Sequence, residues 1–127
     1  MNIGSKMPTP FIVLDFETTG LSPNAGDRAI EVVAVLVENG KINDKFQPLM
    51  NPGKKISSFI ENYTGITNSM LSTAPFNSDA MSELYKFIGK TSLIAHNASF
   101  DKKFLEYELK LIKKNLNQPM ACSLLVA

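Results

Sequence analysis

Tryptophan is absent, and cysteine, histidine and arginine each occur once in the 127 residues. A single cysteine excludes an intramolecular disulfide and suits a reducing, cytoplasmic setting. It lies in an apolar stretch, so Cys122 is expected in the core. With Arg28 the only arginine, bidentate arginine clamps on phosphate are nearly excluded. Charge of either sign is not in excess: the net charge is +1, so a globally basic nucleic-acid-binding surface is absent. No apolar run is long enough to span a membrane, and there is no charged-then-apolar leader. No membrane partner is therefore expected.

What is present is enough for one domain. An apolar fraction of 44% is ordinary for a globular core. Residues 1–9 are polar and without periodicity, and read as a disordered lead-in or an expression remnant. Phe11 to Asp15 is an apolar strand, and Thr18 to Asp27 a polar turn rich in Gly, Pro and Asn. Strands follow at Ala29–Val37 and Ile42–Met50, joined by Asn39-Gly40, a hairpin signal because both residues tolerate positive φ. Residues 54–77 are irregular, with helical turns near Phe59–Tyr63 and Asn68–Leu71. Asn77 or Ser78 is expected to cap a helix to Ile88, buried through Met81, Leu84, Tyr85 and Ile88 and ended by Gly89.

A short strand, Leu93–Ala95, precedes a helix capped by Asn97 or Ser99 and running to Lys114. Its expected buried stripe is Phe100, Phe104, Tyr107 and Leu111. Asp101 then sits in the first turn, off that stripe, where the positive end of the helix dipole favours its charged form. Lys102, Lys103, Lys110, Lys113 and Lys114 read as a solvated face. Met120–Ser123 is a fifth strand. Three antiparallel strands followed by helix, strand, helix, strand is a mixed α/β order.

The chemistry concentrates where strands end. Asp15-Phe16-Glu17-Thr18-Thr19-Gly20 follows the first strand directly. Residues two apart share a strand face, so Asp15 and Glu17 stand roughly 7 Å apart by strand rise. Two carboxylates that close repel each other, and a hard divalent cation such as Mg²⁺ or Mn²⁺ offsets the repulsion with oxygen ligands. Gly20 permits a sharp turn and close approach of backbone to a ligand. An isolated Asp-x-Glu is more often a solvated strand end. The second strand end, His96-Asn97-Ala98-Ser99-Phe100-Asp101, adds a further carboxylate and points to one shared site.

These two hexads resemble the first and second motifs of the DnaQ-like DEDD 3′–5′ exonucleases. Ile30-Glu31-Val32-Val33-Ala34-Val35, Asn51-Pro52-Gly53 and Thr64-Gly65-Ile66-Thr67 match in order between them. The likeness covers about residues 11–127, and its nearest group is the histidine-bearing set that includes the proofreading exonuclease of bacterial DNA polymerase III. It implies a ribonuclease H-like mixed sheet flanked by helices over 10–127. It further implies two Mg²⁺ or Mn²⁺ ions, with Asp15 bridging both, Glu17 on one and Asp101 on the second. Substrate contacts would come from Thr18, Thr19, Gly20 and Thr64, and the partner would be a single-stranded DNA 3′ end, with polymerase subunits as a further partner. The family's third motif, His-x-x-x-x-Asp on a later helix, supplies the general base and a fourth acid, and is not found before Ala127. The expectation is therefore an exonuclease domain lacking its final helix, inactive alone and prone to pair as a homodimer. His96 and Asp101 have that same spacing but belong to the second motif, so His96 is expected to be a scaffold residue. An exoribonuclease of the same superfamily shares every one of these motifs, and a non-catalytic nucleic-acid-binding or polymerase-docking module would keep the first two.

Overall fold

The structure, a computed structural model, describes residues 10–122. The expected lead-in over 1–9, and the segment after Cys122, lie outside the described residues. The sheet has five strands: β1 (Phe11–Thr18), β2 (Ala29–Glu38), β3 (Lys41–Phe46), β4 (Ser92–Ala95) and β5 (Met120–Cys122). Their spatial order is β3-β2-β1-β4-β5. β1, β2 and β3 pair antiparallel, whereas β4 lies parallel to β1 and β5 parallel to β4. This is the expected mixed α/β order. β1 is central, and its apolar residues Ile12, Leu14 and Phe16 are buried in the main core.

Among the described residues there are four α-helices, α1 (Ser58–Thr64), α2 (Asn68–Ser72), α3 (Asn77–Ile88) and α4 (Ala98–Leu111), and a 3-10 turn at Pro23–Ala25. α3 packs Ala80, Met81, Leu84 and Ile88 into the main core beside Phe104, Leu105 and Leu109 of α4. A smaller cluster of Ile30, Ile56, Ile66 and Leu71 seats α1 and α2. At the hairpin, Asn39 and Gly40 take φ of 53° and 77°, the two positive values that a type I′ turn requires.

Several expected boundaries move. β1 runs on through Thr18, so Asp15 and Glu17 lie within the strand and not beyond it. β3 stops at Phe46, short of Met50, because Pro48 cannot donate to the ladder; an isolated Glu31–Leu49 bridge continues the contact with β2. α4 ends at Leu111 and not Lys114: Lys113 turns left-handed at φ 60°, and Lys114 N–H closes back on Leu109 O. The N-cap of α3 is Phe76, with no side-chain bond; the Asn77 side chain instead donates to Ala29 O at 2.8 Å. Asn97 is the N-cap of α4, also without a side-chain bond. Cys122 is half-buried, with its Sγ 3.6 Å from His96 O.

Candidate active site

The carboxylates of β1 point to one side because a strand alternates. Asp15 is exposed and Glu17 half-buried, while the intervening Phe16 is buried on the opposite face. The parallel pairing of β4 with β1 brings Ala95 level with Leu14, so the turn after β4 opens beside Asp15. α4 begins there. Its first turn delivers Asp101 beneath the β1 backbone, where Oδ1 accepts from Phe16 N–H at 3.0 Å and Oδ2 from Asn97 N–H at 3.2 Å. Asp15, Glu17 and Asp101 line one open cleft of about 550 Å³, together with Thr18, Gly20, Thr64, His96 and Asn97.

The buried stripe of α4 differs from the expected one. Asp101, Phe104, Leu105, Glu108 and Leu109 are buried, Tyr107 is half-buried and Leu111 is exposed. Asp101 therefore lies on the inward face at 1% exposure. Its pKa is raised, opposite to the dipole-based expectation. Burial dominates; the backbone donors of Asn97 and Phe16 oppose it, Asp15 adds to it and His96 opposes it. Glu17 is raised too, by burial first, then by Asp15 and by Glu31. Glu31 stands directly across the ladder from Glu17, a proximity the sequence does not show, since pairing register is a property of two strands.

The loop after β1 is built around Asp27, another residue not singled out by sequence. Asp27 accepts from Thr19 Oγ1 and from Ser22 N–H, each at 3.1 Å. Thr19 Oγ1 in turn accepts from Arg28 N–H at 3.0 Å, so Thr19 secures the loop and does not line the cleft. Thr18 Oγ1 donates to Gly20 O at 2.6 Å. A Cβ on Gly20 would fall inside contact distance of the Asp27 carboxylate, which is why glycine stands there. Thr64 lines the far wall, donating to Ile60 O at 2.7 Å and accepting from Ile66 N–H at 3.1 Å.

That wall also carries an aromatic pair. Phe59 and Tyr63 stack with centroids 6.0 Å apart, yet are 71% and 78% exposed, and Leu21 across the cleft is 77% exposed. Their i, i+4 spacing was visible in the sequence, but only the fold shows that this face covers a cleft and not a core. The five lysines of α4 and its following turn are all exposed, as expected of a solvated face.

The donors offered to the cleft are carboxylate oxygens, the set that suits hard divalent cations. Among the described residues, no three Asp, Glu, His or Cys side chains already stand in metal-holding geometry. Both oxygens of Asp101 are engaged by backbone donors. The mutual repulsion that Asp15 imposes on Glu17 and Asp101 is the physical ground on which the donor set fits a cation.

Residues 12–126 match the family described as Exonuclease. The 3′-5′ exonuclease DinG of Bacillus subtilis is 44% identical over 100 residues, which is 78% of this chain and 11% of that protein. The PolC-type DNA polymerase III of Staphylococcus epidermidis is 45% identical over 96 residues, 76% of this chain and 7% of that protein. Among solved structures, Exonuclease X in complex with 5′ overhanging duplex DNA superposes with a TM-score of 0.67 at 27% identity, covering 88% of this chain and 58% of that one. The chain thus spans a small fraction of the length of these curated relatives.

Proposed function

The chain belongs to the exonuclease family, and on that premise we propose that it is a 3′–5′ exonuclease unit acting on DNA 3′ ends in proofreading or repair. One observation carries the reading: Asp15 and Glu17 of β1 and Asp101 from the first turn of α4 line a single cleft opposite a stacked aromatic pair. Divalent-metal dependence is general in this family. Asp15, Glu17 and Asp101 would hold Mg²⁺ or Mn²⁺, which when bound activates water and neutralises charge on the phosphodiester. Asp101 is pinned to Phe16 and Asn97 and so keeps its place relative to β1. Phe59, Tyr63 and Leu21 offer apolar surface to an unpaired terminal base, and base-on-aromatic stacking is worth about 1–3 kcal/mol per base. A single-stranded end suits a site with this platform and with no arginine in it. The similarity to PolC-type and DinG proteins supports a setting beside a polymerase or other DNA-processing unit.

His96 serves as a scaffold beside Asp101, and the proton acceptor for water is not among these residues. The test is Mn²⁺ binding by calorimetry together with a time course on end-labelled single-stranded DNA and RNA. Binding and slow, 3′-directed release of deoxynucleotides, both lost in Asp15→Asn, are the expected results. Metal-independent, internal or 5′-directed cleavage would sink the proposal, and preference for RNA would move it to the exoribonuclease reading.

A further inference from the structure

The loop after β1 is tied down at two points with an exposed leucine between them. Thr19 is the first: its N–H donates to Arg28 O at 2.9 Å, and its Oγ1 accepts from Arg28 N–H at 3.0 Å and donates to Asp27 Oδ1 at 3.1 Å. Ser22 is the second, and Asp27 holds it twice. Ser22 N–H donates to Asp27 Oδ2, and Ser22 O accepts from Asp27 N–H, each at 3.1 Å. Gly20 and Leu21 form the arch between these two feet. Gly20 is crowded by the same Asp27 carboxylate, with no room for a Cβ. Leu21 is 77% exposed, belongs to neither core cluster, and lines the cleft across from Phe59 and Tyr63.

Such an arch does little for the fold. Fixing a residue's backbone costs roughly 1–2 kcal/mol of entropy, and a leucine left in water gains no burial to offset it. The hydrogen bonds that impose the order come from a carboxylate, whose charge makes them the stronger kind. The order has a use if Leu21 must stand in place before a substrate arrives, since a contact surface set in advance lowers the cost of binding. We propose that Asp27 is a positioning residue: it holds Leu21 at the mouth of the cleft, so that a terminal base is received between Leu21 and the Phe59–Tyr63 face. The inference rests on the nuclease reading of the cleft. Asp27 does not line the cleft, and its side-chain bonds go to Thr19 and Ser22 and not to Asp15, Glu17 or Asp101. It therefore sets affinity for the nucleic-acid end and leaves affinity for the cation alone.

The experiment compares the unaltered chain with Asp27→Ala, Leu21→Ala and the double variant. Each is titrated with Mn²⁺ alone by calorimetry, and with a fluorescein-labelled single-stranded oligothymidylate plus Mn²⁺ by anisotropy. Each single change is expected to weaken oligonucleotide binding about fivefold. The double variant should bind no more weakly than either single one, because both changes remove the same contact. Mn²⁺ affinity should be unchanged throughout. In the ¹⁵N-labelled chain, the heteronuclear NOE of the Leu21 amide should fall on Asp27→Ala, reporting faster local motion. Asp27→Asn should bind like the unaltered chain, since its carbonyl still accepts from Ser22 N–H and its amide can donate to Thr19 Oγ1. Losses that multiply in the double variant, a parallel loss of Mn²⁺ affinity, or an undisturbed Leu21 NOE would overturn the assignment. Normal binding by Asp27→Ala would remove this inference alone, whereas an unaltered chain that bound no oligonucleotide would remove the nuclease reading with it.

Discussion

At the scale of single residues, the acidic groups of the cleft determine how the protein responds to pH. Folded-state pKa values of Glu17 and Asp101 lie above their ordinary values of 4.5 and 3.8. A carboxyl raised on folding favours the native state while it is protonated, and that contribution is lost as pH climbs from the ordinary value through the raised one. Above that window the folded protein carries ionised, mutually repelling carboxylates. A divalent cation should therefore raise the melting temperature at pH 7 and give little change near pH 4, with Asp15→Asn blunting the effect; scanning calorimetry with and without Mn²⁺ measures it. A cation-induced rise that was larger at pH 4 would contradict the linkage. Gly20 makes a separate demand. Alanine there must push aside an Asp27 carboxylate already fixed by Thr19 and Ser22. Gly20→Ala should cost about 1–3 kcal/mol, the usual range for overpacking, measurable by urea denaturation.

Among elements, the join between β2 and α4 matters most. α4 carries Asp101 at its start and Glu108 two turns later, and Glu108, 1% exposed, is held by Arg28 at the head of β2. Hydrogen bonding to Glu108 is also what raises the Arg28 pKa. Arg28→Ala would leave a buried carboxylate with only Ala29 N–H for company. Breaking a buried pair from one side costs about 3–5 kcal/mol. Arg28→Ala is thus expected to lower stability by about that amount, with Arg28→Met/Glu108→Leu recovering only part of the loss because Ala29 N–H is then unpaired. Chemical denaturation of the three proteins decides it. A double variant as unstable as Arg28→Ala would show that charge burial is not the main cost.

For the molecule as a whole, the proposed site, with three carboxylates and His96 as a scaffold, sets the expected rate. A general base contributes typically 10²–10⁴-fold. The 127-residue chain is expected to release nucleotides at least about 10²-fold more slowly than an exonuclease domain bearing a His-x-x-x-x-Asp helix on the same oligonucleotide. His96→Gln should leave that residual rate largely unchanged. A full rate, or its loss in His96→Gln with folding and Mn²⁺ binding intact, would make His96 the base. No described helix is long and apolar enough to cross a membrane.

Sequence alone determined what rests on short-range rules. Strand alternation put Asp15 and Glu17 on one side, Asn39-Gly40 wrote its own turn, and the two hexads identified a family. It failed where the outcome depended on partners far along the chain. The inward face of α4 could not be read from its apolar residues, because two of the buried positions are Asp101 and Glu108. Those carboxylates are tolerated inside only because Phe16, 85 residues from Asp101, and Arg28, 80 residues from Glu108, supply their donors. The Phe59–Tyr63 face likewise looks like any amphipathic turn until the fold places it across from the carboxylates. Tertiary structure decided these points because burying a charge or exposing an aromatic ring is a property of what stands opposite, and local sequence does not encode that.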